Sequence, residues 1–445
     1  MIVNLIYQFK RGDGMSNTKK SVIFAAIIIL IGVISVSAFL LRRGNGKQKD
    51  NSKDIGTSLG IISYNYLTES YSDKGIISVG DDGLMHFTDA VSKETTVICD
   101  KANCEHEPYD ESANPDPICN GYTLGVPVPV SSILMVVDSI YFWGTHADDK
   151  GKMQDLEIYR ADLNGDNKKK IATVPHSTEY QCLSAASDGR YLVIGYTVDY
   201  ERKESGELVE LDRSEGGIII LDLRDKSIID NKIDNMRLPS RISFTDRRIY
   251  IGGLYLDSVY SKSALTSLSD EELWQYFDQH EYNGMYIYNL ESQKGEEHKL
   301  LDDTGNQRIG ISSDLLINED MAVFTDGADT ILYHEGSHSY ETIYSDTEGF
   351  RDGKMYKPIC WKGFEIYLNK YDGDDTGKSD WIIYDIKDGS KREMGSTNNK
   401  IVCYGLGDYL FGMDWDPDAE TGSSFVLTEE EFFGTGTGSN VTAEQ

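Results

Sequence analysis

The stretch SILMVVDSIYFWG at residues 132–144, followed by ADLNGDNK at 161–168, decides the fold. Two β-branched and aromatic runs flank the Asp138-Ser139 turn, and the second piece is an Asp-centred hairpin with Gly165 at its bend. Both features return along the chain. The strand–turn–strand part recurs as GIISV-GDDG-LMHFTD (75–89), QCLSAA-SDGR-YLVIGYTV (181–198) and RISFT-DRR-IYIGGLYL (241–256). It continues as LLIN-ED-MAVFTD (315–326), KPICW-KG-FEIYLNKY (357–371) and IVCYG-LGD-YLFGMDW (401–415). The hairpin recurs as LDLRDKS (221–227), YNLESQK (288–294), YDIKDGS (384–390) and, more loosely, TDAVSK (88–93).

Self-similarity at this period means stacked or radial β-units. The second strands begin near residues 84, 140, 191, 249, 321, 364 and 409, at intervals of 43 to 72 residues. A four-stranded propeller blade takes about 40–50 residues. The spacing therefore predicts an all-β chain, a seven-bladed β-propeller over 59–433, with six or eight blades as the neighbouring counts. The last copy supplies FVLTEEEFF (425–433) without a clear fourth strand, and the early run IISYNYL (61–67) is expected to complete it and remove the open edge. One long interval holds SALTSLSDEELWQYFDQHEYNG (263–284), where Ser269 and Glu272 form a capping-box start for a short helix with Leu273, Tyr276 and Phe277 on its apolar side.

The chain carries 43 basic and 74 acidic residues, a net charge of −31. Before residue 45 the charged residues are Lys10, Arg11, Asp13, Lys19, Lys20, Arg42 and Arg43, so the remainder is more acidic still. Phosphate binding needs Lys and Arg, so this surface excludes nucleic acid and favours cations or basic partners.

Residues 21–41 (SVIFAAIIILIGVISVSAFLL) contain no charge. At helical rise they span about 31 Å, the thickness of a bilayer core. Residues 1–20 read as a short cytoplasmic tail and 21–41 as an uncleaved signal anchor. A cleavable signal peptide, with Val36-Ser37-Ala38 at the cleavage site, is the alternative. Residues 42–58 read as a flexible linker and 434–445 as a disordered tail. The expected location is the cell membrane, crossed once, with the large C-terminal domain outside the cytoplasm.

Cys182, Cys360 and Cys403 sit singly in apolar strands and read as small buried hydrophobes. Cys99, Cys104, His106 and Cys119 form a different group, in VICDKANCEHEPYDESANPDPICN. Three thiolates and an imidazole are the donor set of tetrahedral zinc. Outside the cytoplasm a disulfide competes with the metal, and unlinked thiols are the third state. Four protein ligands leave a zinc no open position for catalysis, and whichever state holds, the expected role is structural.

Two motifs carry less than they promise. His334-Glu335-Gly336-Ser337-His338 matches a zinc-protease pattern that needs a helix, but β-rich runs flank it and Gly336-Ser337 reads as a hairpin turn. Asp162-x-Asn164-Gly165-Asp166 and Asp414-x-Asp416-x-Asp418 with Glu420, like the acidic loop of Asp372, Asp374, Asp375 and Asp380, offer weak calcium sites at most, lacking the Gly and Glu of an EF-hand.

The Asp-centred hairpins resemble those of TolB-like and related β-propellers. More specifically, nearly the whole of 59–433 resembles membrane-anchored extracytoplasmic propellers of Gram-positive bacteria, and the C-x4-C-x-H…C run of Cys99 to Cys119 belongs to that resemblance. It implies fold and location and carries over no catalytic residue. The expected role is a non-catalytic binding or scaffold module at the cell surface, with a protein, peptide or glycan ligand. The alternatives are a glycan-active hydrolase or lyase using carboxylates around the channel, and a sensor input module that would need a partner.

Overall fold

The structure is a computed structural model. It describes residues 58–434 apart from 63–67, 81, 108–113, 115–117, 124–131, 146–152, 204–205, 246, 267, 301–314, 352–354, 372–377, 399 and 417–420. The expected tail 1–20, the anchor 21–41, the linker up to residue 57 and residues 435–445 lie outside the described residues. Among the described residues no helix is long and apolar enough to cross a membrane.

The strands form seven antiparallel blades of a β-propeller. Blade 1 takes Thr68–Ser72, Gly75–Val79, Met85–Asp89 and Thr95–Val97. Blade 2 takes Ser132–Val136, Ser139–Gly144, Glu157–Asp162 and Lys169–Thr173. Blade 3 takes Gln181–Ser187, Tyr191–Arg202, Leu208–Asp222 and Ile228–Ile233. Blade 4 takes Met236–Phe244, Arg248–Leu256, Glu281–Asn289 and Lys294–Lys299. Blade 5 takes Leu316–Asn318, Met321–Asp326, Asp329–His334 and Ser339–Ser345. Blade 6 takes Lys357–Lys362, Glu365–Tyr371, Lys378–Asp385 and Lys391–Asn398. Among the described residues blade 7 has three strands, Lys400–Leu406, Tyr409–Asp416 and Thr421–Thr428.

The recurrent Asp hairpin joins the third strand of a blade to the fourth, and its chemistry explains its recurrence. The Oδ1 of Asp89 accepts from the backbone N–H groups of Val91 and Ser92, at 2.9 and 2.8 Å. Asp222 accepts in the same way from Arg224, Asn289 from Glu291 and Ser292, and Asp385 from Lys387. Four residues on, the chain enters the left-handed region, at Lys93, Lys226, Gln293 and Gly389. The side chain thus fixes a turn that the backbone alone would hold weakly. The next N–H ties the turn to its own blade: Ala90, Leu223, Leu290 and Ile386 donate to the carbonyls of Lys74, Arg190, Arg247 and Phe364, all at 2.8–2.9 Å, in the turn between the first and second strands.

The core lies in the seams between blades, because each blade is apolar on both faces and neither buries alone. Ile77, Met85, Ile133, Met135 and Phe142 fill the seam between blades 1 and 2. Trp143, Ile158, Leu192, Ile194 and Ile219 fill the next. The ring closes where Tyr71 of blade 1 meets Tyr404 and Phe411 of blade 7, with ring centroids 4.6 and 5.3 Å apart.

Two expectations are corrected. The first sequence copy, GIISV and LMHFTD, supplies the second and third strands of blade 1; its inner strand is Thr68–Ser72, which pairs with Gly75–Val79. That polar strand, TESYS, lacks the apolar run that marks the other inner strands. The N-terminal strand also does not complete blade 7. Ser58–Ile62 pairs antiparallel with Thr68–Ser72 on one side and with Gln181–Ser187 of blade 3 on the other, so it bridges two inner strands at the hub. Residues 63–67 of the expected strand lie outside the described residues. In place of a fourth strand, the short helix Glu429–Phe433, with a capping box of Thr428 and Glu431, sets Phe432 edge-on against Trp381 of blade 6.

Candidate metal centre and ligand cavity

The four residues singled out in the Cys/His run come together. The ligand atoms of Cys99, Cys104, His106 and Cys119 all lie within 4.8 Å of one another, and His106 Nδ1 is 3.4 Å from Cys119 Sγ. The chain turns sharply to achieve this: Asn103 and His106 both adopt left-handed φ, 59° and 53°. Cys119 begins a segment that runs back along blade 1. Gly121 accepts from Met85 N–H at 2.7 Å, and Tyr122 bridges to Leu84. Cys119, Leu84 and Tyr122 are buried together, with Val97, Cys99 and Cys104 packed against them. Gly121 is required beside the cluster, since a Cβ there would meet Val97 Cγ1 at 2.7 Å and lie 3.5 Å from Cys119 Sγ.

The thiols differ in environment. Burial pushes Cys119 up to about 12, against the Gly121 N–H that donates to its sulfur at 3.3 Å. Burial raises Cys99 too, but backbone N–H groups of Lys101 and Asn120 and the neighbouring thiols outweigh it and hold it below the ordinary thiol value. All five described cysteines, Cys182 and Cys360 included, are free thiols. Cys182 and Cys360 are buried in blades 3 and 6, as small hydrophobes should be. The side chain of Cys403 lies outside the described residues.

The His334 and Asp162 motifs resolve as turns, whereas Asp414, Asp416 and Asp380 lie in strands. His334 ends a strand, Glu335–Ser337 is one 3-10 turn rather than a two-residue hairpin, and His338 has φ 50° and lies 3.2 Å from the Tyr333 hydroxyl. Glu335 pairs with Arg248 at 3.6 Å. Asp162 accepts from Asn167 and Asn164 from Asp166 N–H, which makes 162–167 a self-satisfied hairpin. Asp372, Asp374, Asp375, Asp418 and Glu420 lie outside the described residues. Among the described residues, the Cys/His group is the one cluster with metal-binding proximity.

The second site was not legible in the motifs. Two strands of blade 3, Tyr191–Arg202 and Leu208–Asp222, run to 12 and 15 residues and project as a long hairpin. Along one side of it is a cavity of about 600 Å³, lined among others by Tyr180, Tyr196, Arg202, Glu215, Asp230 and Lys232. Tyr180 and Tyr196 stack with centroids 3.9 Å apart. Both hydroxyls donate to Asp230, at 2.7 and 2.8 Å. Burial raises both phenols, Tyr180 to about 12, so both remain donors at neutral pH. Tyr196 is 3% exposed and Tyr180 half-buried, which leaves Tyr180 as the ring available to a ligand.

The helical insertion of blade 4 supports this hairpin. Asp270–His280 begins at the expected capping box of Ser269 and Glu272, and Leu273 is buried. The preceding turn, Lys262–Leu265, reaches the hairpin. Lys262 Nζ contacts Asp199 at 2.8 Å and Glu210 at 3.2 Å, while Ser261 Oγ and Ser263 N–H donate to Asp212. A length anomaly in the third copy, with long alternating strands past Val198, is the signal that could have pointed to this site.

The fold and the cavity define a propeller with a built-up third blade. No protein-family model matches the chain, and no curated protein matches it. Solved structures give a likeness in fold. An acylaminoacyl peptidase of Pyrococcus horikoshii is 11% identical over 82% of this chain and 50% of its own, with a TM-score of 0.43. An apocarotenoid oxygenase mutant of Synechocystis is 10% identical over 79% and 72%, with a TM-score of 0.42. An oligogalacturonate lyase in complex with manganese is 11% identical over 64% and 73%, with a TM-score of 0.36.

Proposed function

We infer that this chain is a binding module, held at the membrane by residues 21–41 with its propeller outside the cytoplasm, and that blade 3 carries its recognition site. The ligand class is a basic peptide segment. The observation that carries this reading is the shared hold of Tyr180 and Tyr196 on Asp230 within the cavity. Arg202 is already paired with Glu179 at 2.7 Å and Lys232 with Glu215 at 2.6 Å, whereas Asp230 is held by hydroxyls and pairs with no cation among the described residues. An ammonium or guanidinium group placed over Tyr180 would meet both an aromatic face and a carboxylate. The net charge of −31 favours the approach of such a partner.

A glycan-cleaving reading asks for a carboxyl kept protonated to act as general acid. The half-buried carboxyls Asp199, Asp257 and Glu429 are held below their ordinary values, which is the opposite direction. The test is calorimetric titration of the purified chain with a lysine-containing hexapeptide and its lysine-acetylated counterpart. The lysine peptide should bind and the acetylated one should not, and Asp230→Asn should weaken binding about tenfold. Equal binding of both peptides, or binding indifferent to Asp230→Asn, would sink the reading.

A further inference from the structure

We propose that Cys99, Cys104, His106 and Cys119 bind one zinc ion, and that this metal clamps blade 1 to blade 2. The geometry of the donors carries the first half. With Zn–S near 2.3 Å and Zn–N near 2.0–2.1 Å, tetrahedral angles place nitrogen and sulfur about 3.5 Å apart and two sulfurs about 3.8 Å apart. His106 Nδ1 lies 3.4 Å from Cys119 Sγ, and all four donors fall within 4.8 Å. A disulfide would consume two thiols and leave one cysteine and an imidazole converging on nothing. Soft sulfur donors with one imidazole select zinc over the hard cations that carboxylates and carbonyls take. Four protein ligands close the coordination sphere, so the metal is structural.

What the cluster touches carries the second half. The residues beside the ligands, Asp100 and Asn120, are the docking surface for the Asp hairpin of blade 2. Asn164 Nδ2 donates to Asp100 Oδ2 at 2.7 Å. Lys168 Nζ donates to the Asn120 carbonyl at 2.5 Å and to the Gly165 carbonyl at 2.6 Å. Asn120 Nδ2 reaches Asp100 Oδ1 at 3.4 Å, so the two sides of the metal loop are tied where the hairpin lands. Gly165 sits so close that a Cβ would lie 2.4 Å from the Asn120 carbonyl oxygen and 2.8 Å from that of Ile98. Fixing Cys99 and Cys119 on one ion therefore fixes Asp100 and Asn120, and through them the outer edge of blade 2. Metal binding becomes folding free energy at this seam.

The experiment is metal analysis of the purified full chain, with thiol titration and thermal melting before and after chelation. The expected result is one zinc per chain, three thiols that react only after chelation, and a fall in Tm of roughly 5 °C on chelation. Hydrogen exchange should rise on chelation in 161–168 as well as in 99–123, which a metal confined to its own loop would not produce. Cobalt substituted into the wild-type chain should give intense thiolate-to-metal absorption and tetrahedral visible bands, a readout that depends on no variant folding. Cys104→Ser should lose the zinc. Absence of metal with two fewer free thiols would overturn the metal in favour of a disulfide. Absence of metal with every cluster thiol reactive would overturn it in favour of unlinked cysteines. Stoichiometric zinc with unchanged exchange in 161–168 would overturn the clamp.

Discussion

Lys168 of blade 2 donates to the carbonyl of Asn120, the residue after Cys119, at 2.5 Å, and so the repeated hairpin and the cysteine loop meet at one point. The hairpin belongs to the regular architecture and the loop is its largest departure within blade 1. Their contact gives the departure a place in the ring.

The first prediction concerns Gly165. Its φ is +78° and a Cβ would press on two backbone carbonyls, neither of which has a flexible end to give way. Gly165→Ala should cost about 1–3 kcal/mol in urea denaturation. Because the residue touches no metal ligand side chain, zinc content should remain unchanged. A neutral substitution would show that blade 2 does not press on the loop.

The closure of the ring gives the second. Tyr71 is 4% exposed and packs on Tyr404 and Phe411, and its hydroxyl donates to Glu69 at 2.9 Å. Tyr71→Ala should destabilise by about 3–5 kcal/mol, while Tyr71→Phe should cost about 1 kcal/mol or less. A similar loss for both would mean that the hydroxyl, and not ring packing, holds the first blade to the last.

Acid should open the molecule through half-buried pairs. Burial raises the Asp199 carboxyl, but hydrogen bonds from Lys262 and Ser214 and the nearby charges outweigh burial and lower it below 3.8. Glu429 is likewise lowered below 4.5, where Tyr367, Arg392 and Lys362 prevail over burial. A carboxyl depressed in the folded state contributes stability that is fully present above its unfolded value and is lost as pH falls through the folded one. Tm should therefore be level from pH 7 to about pH 5 and fall below about pH 4. Asp199→Asn should lower Tm at pH 7 and make the acid fall shallower. An unchanged acid limb in that variant would remove the Asp199–Lys262 pair from the account.

Buried thiols supply the fourth. Cys182 and Cys360 are 5% and 0% exposed, and burial pushes the Cys182 thiol up to about 12. Native protein should leave both unreacted towards a disulfide reagent over hours, and mild urea should release them together with global unfolding. Early reaction of Cys182 would reveal local opening of blade 3 beneath the cavity.

Much of the architecture was legible because its signals are local. The Asp or Asn that opens the hairpins of blades 1, 3, 4 and 6 satisfies its own backbone two or three residues on, and the apolar runs that flank each turn need a partner face whatever blade they join. Cys99, Cys104, His106 and Cys119 were legible for the same reason, as unusual residue types gathered in one loop. The inner strand of blade 1 is not legible because TESYS carries no apolar run; among its described side chains Tyr71 is the one in the large interblade cluster. The N-terminal strand was misassigned because pairing at the hub is chosen by which inner strands stand open, a property of the assembled ring.

The sequence by itself determined the all-β repeat, with seven blades as the favoured count, the Asp turns, the capped helix at Ser269 and the residues of the Cys/His loop. Each of these is decided by contacts within a few residues, or by a period that repeats. Only the tertiary structure decided that Ser58–Ile62 joins blades 1 and 3, that the helical insertion of blade 4 braces the long hairpin of blade 3, and that Tyr180, Tyr196 and Asp230 converge in one cavity. These partners lie 34 to 63 residues apart in the hairpin and its brace, and farther still at the hub. Nothing local records such separations. They follow from burying both faces of every blade against its neighbours, which fixes the ring and thereby sets which distant side chains share a surface.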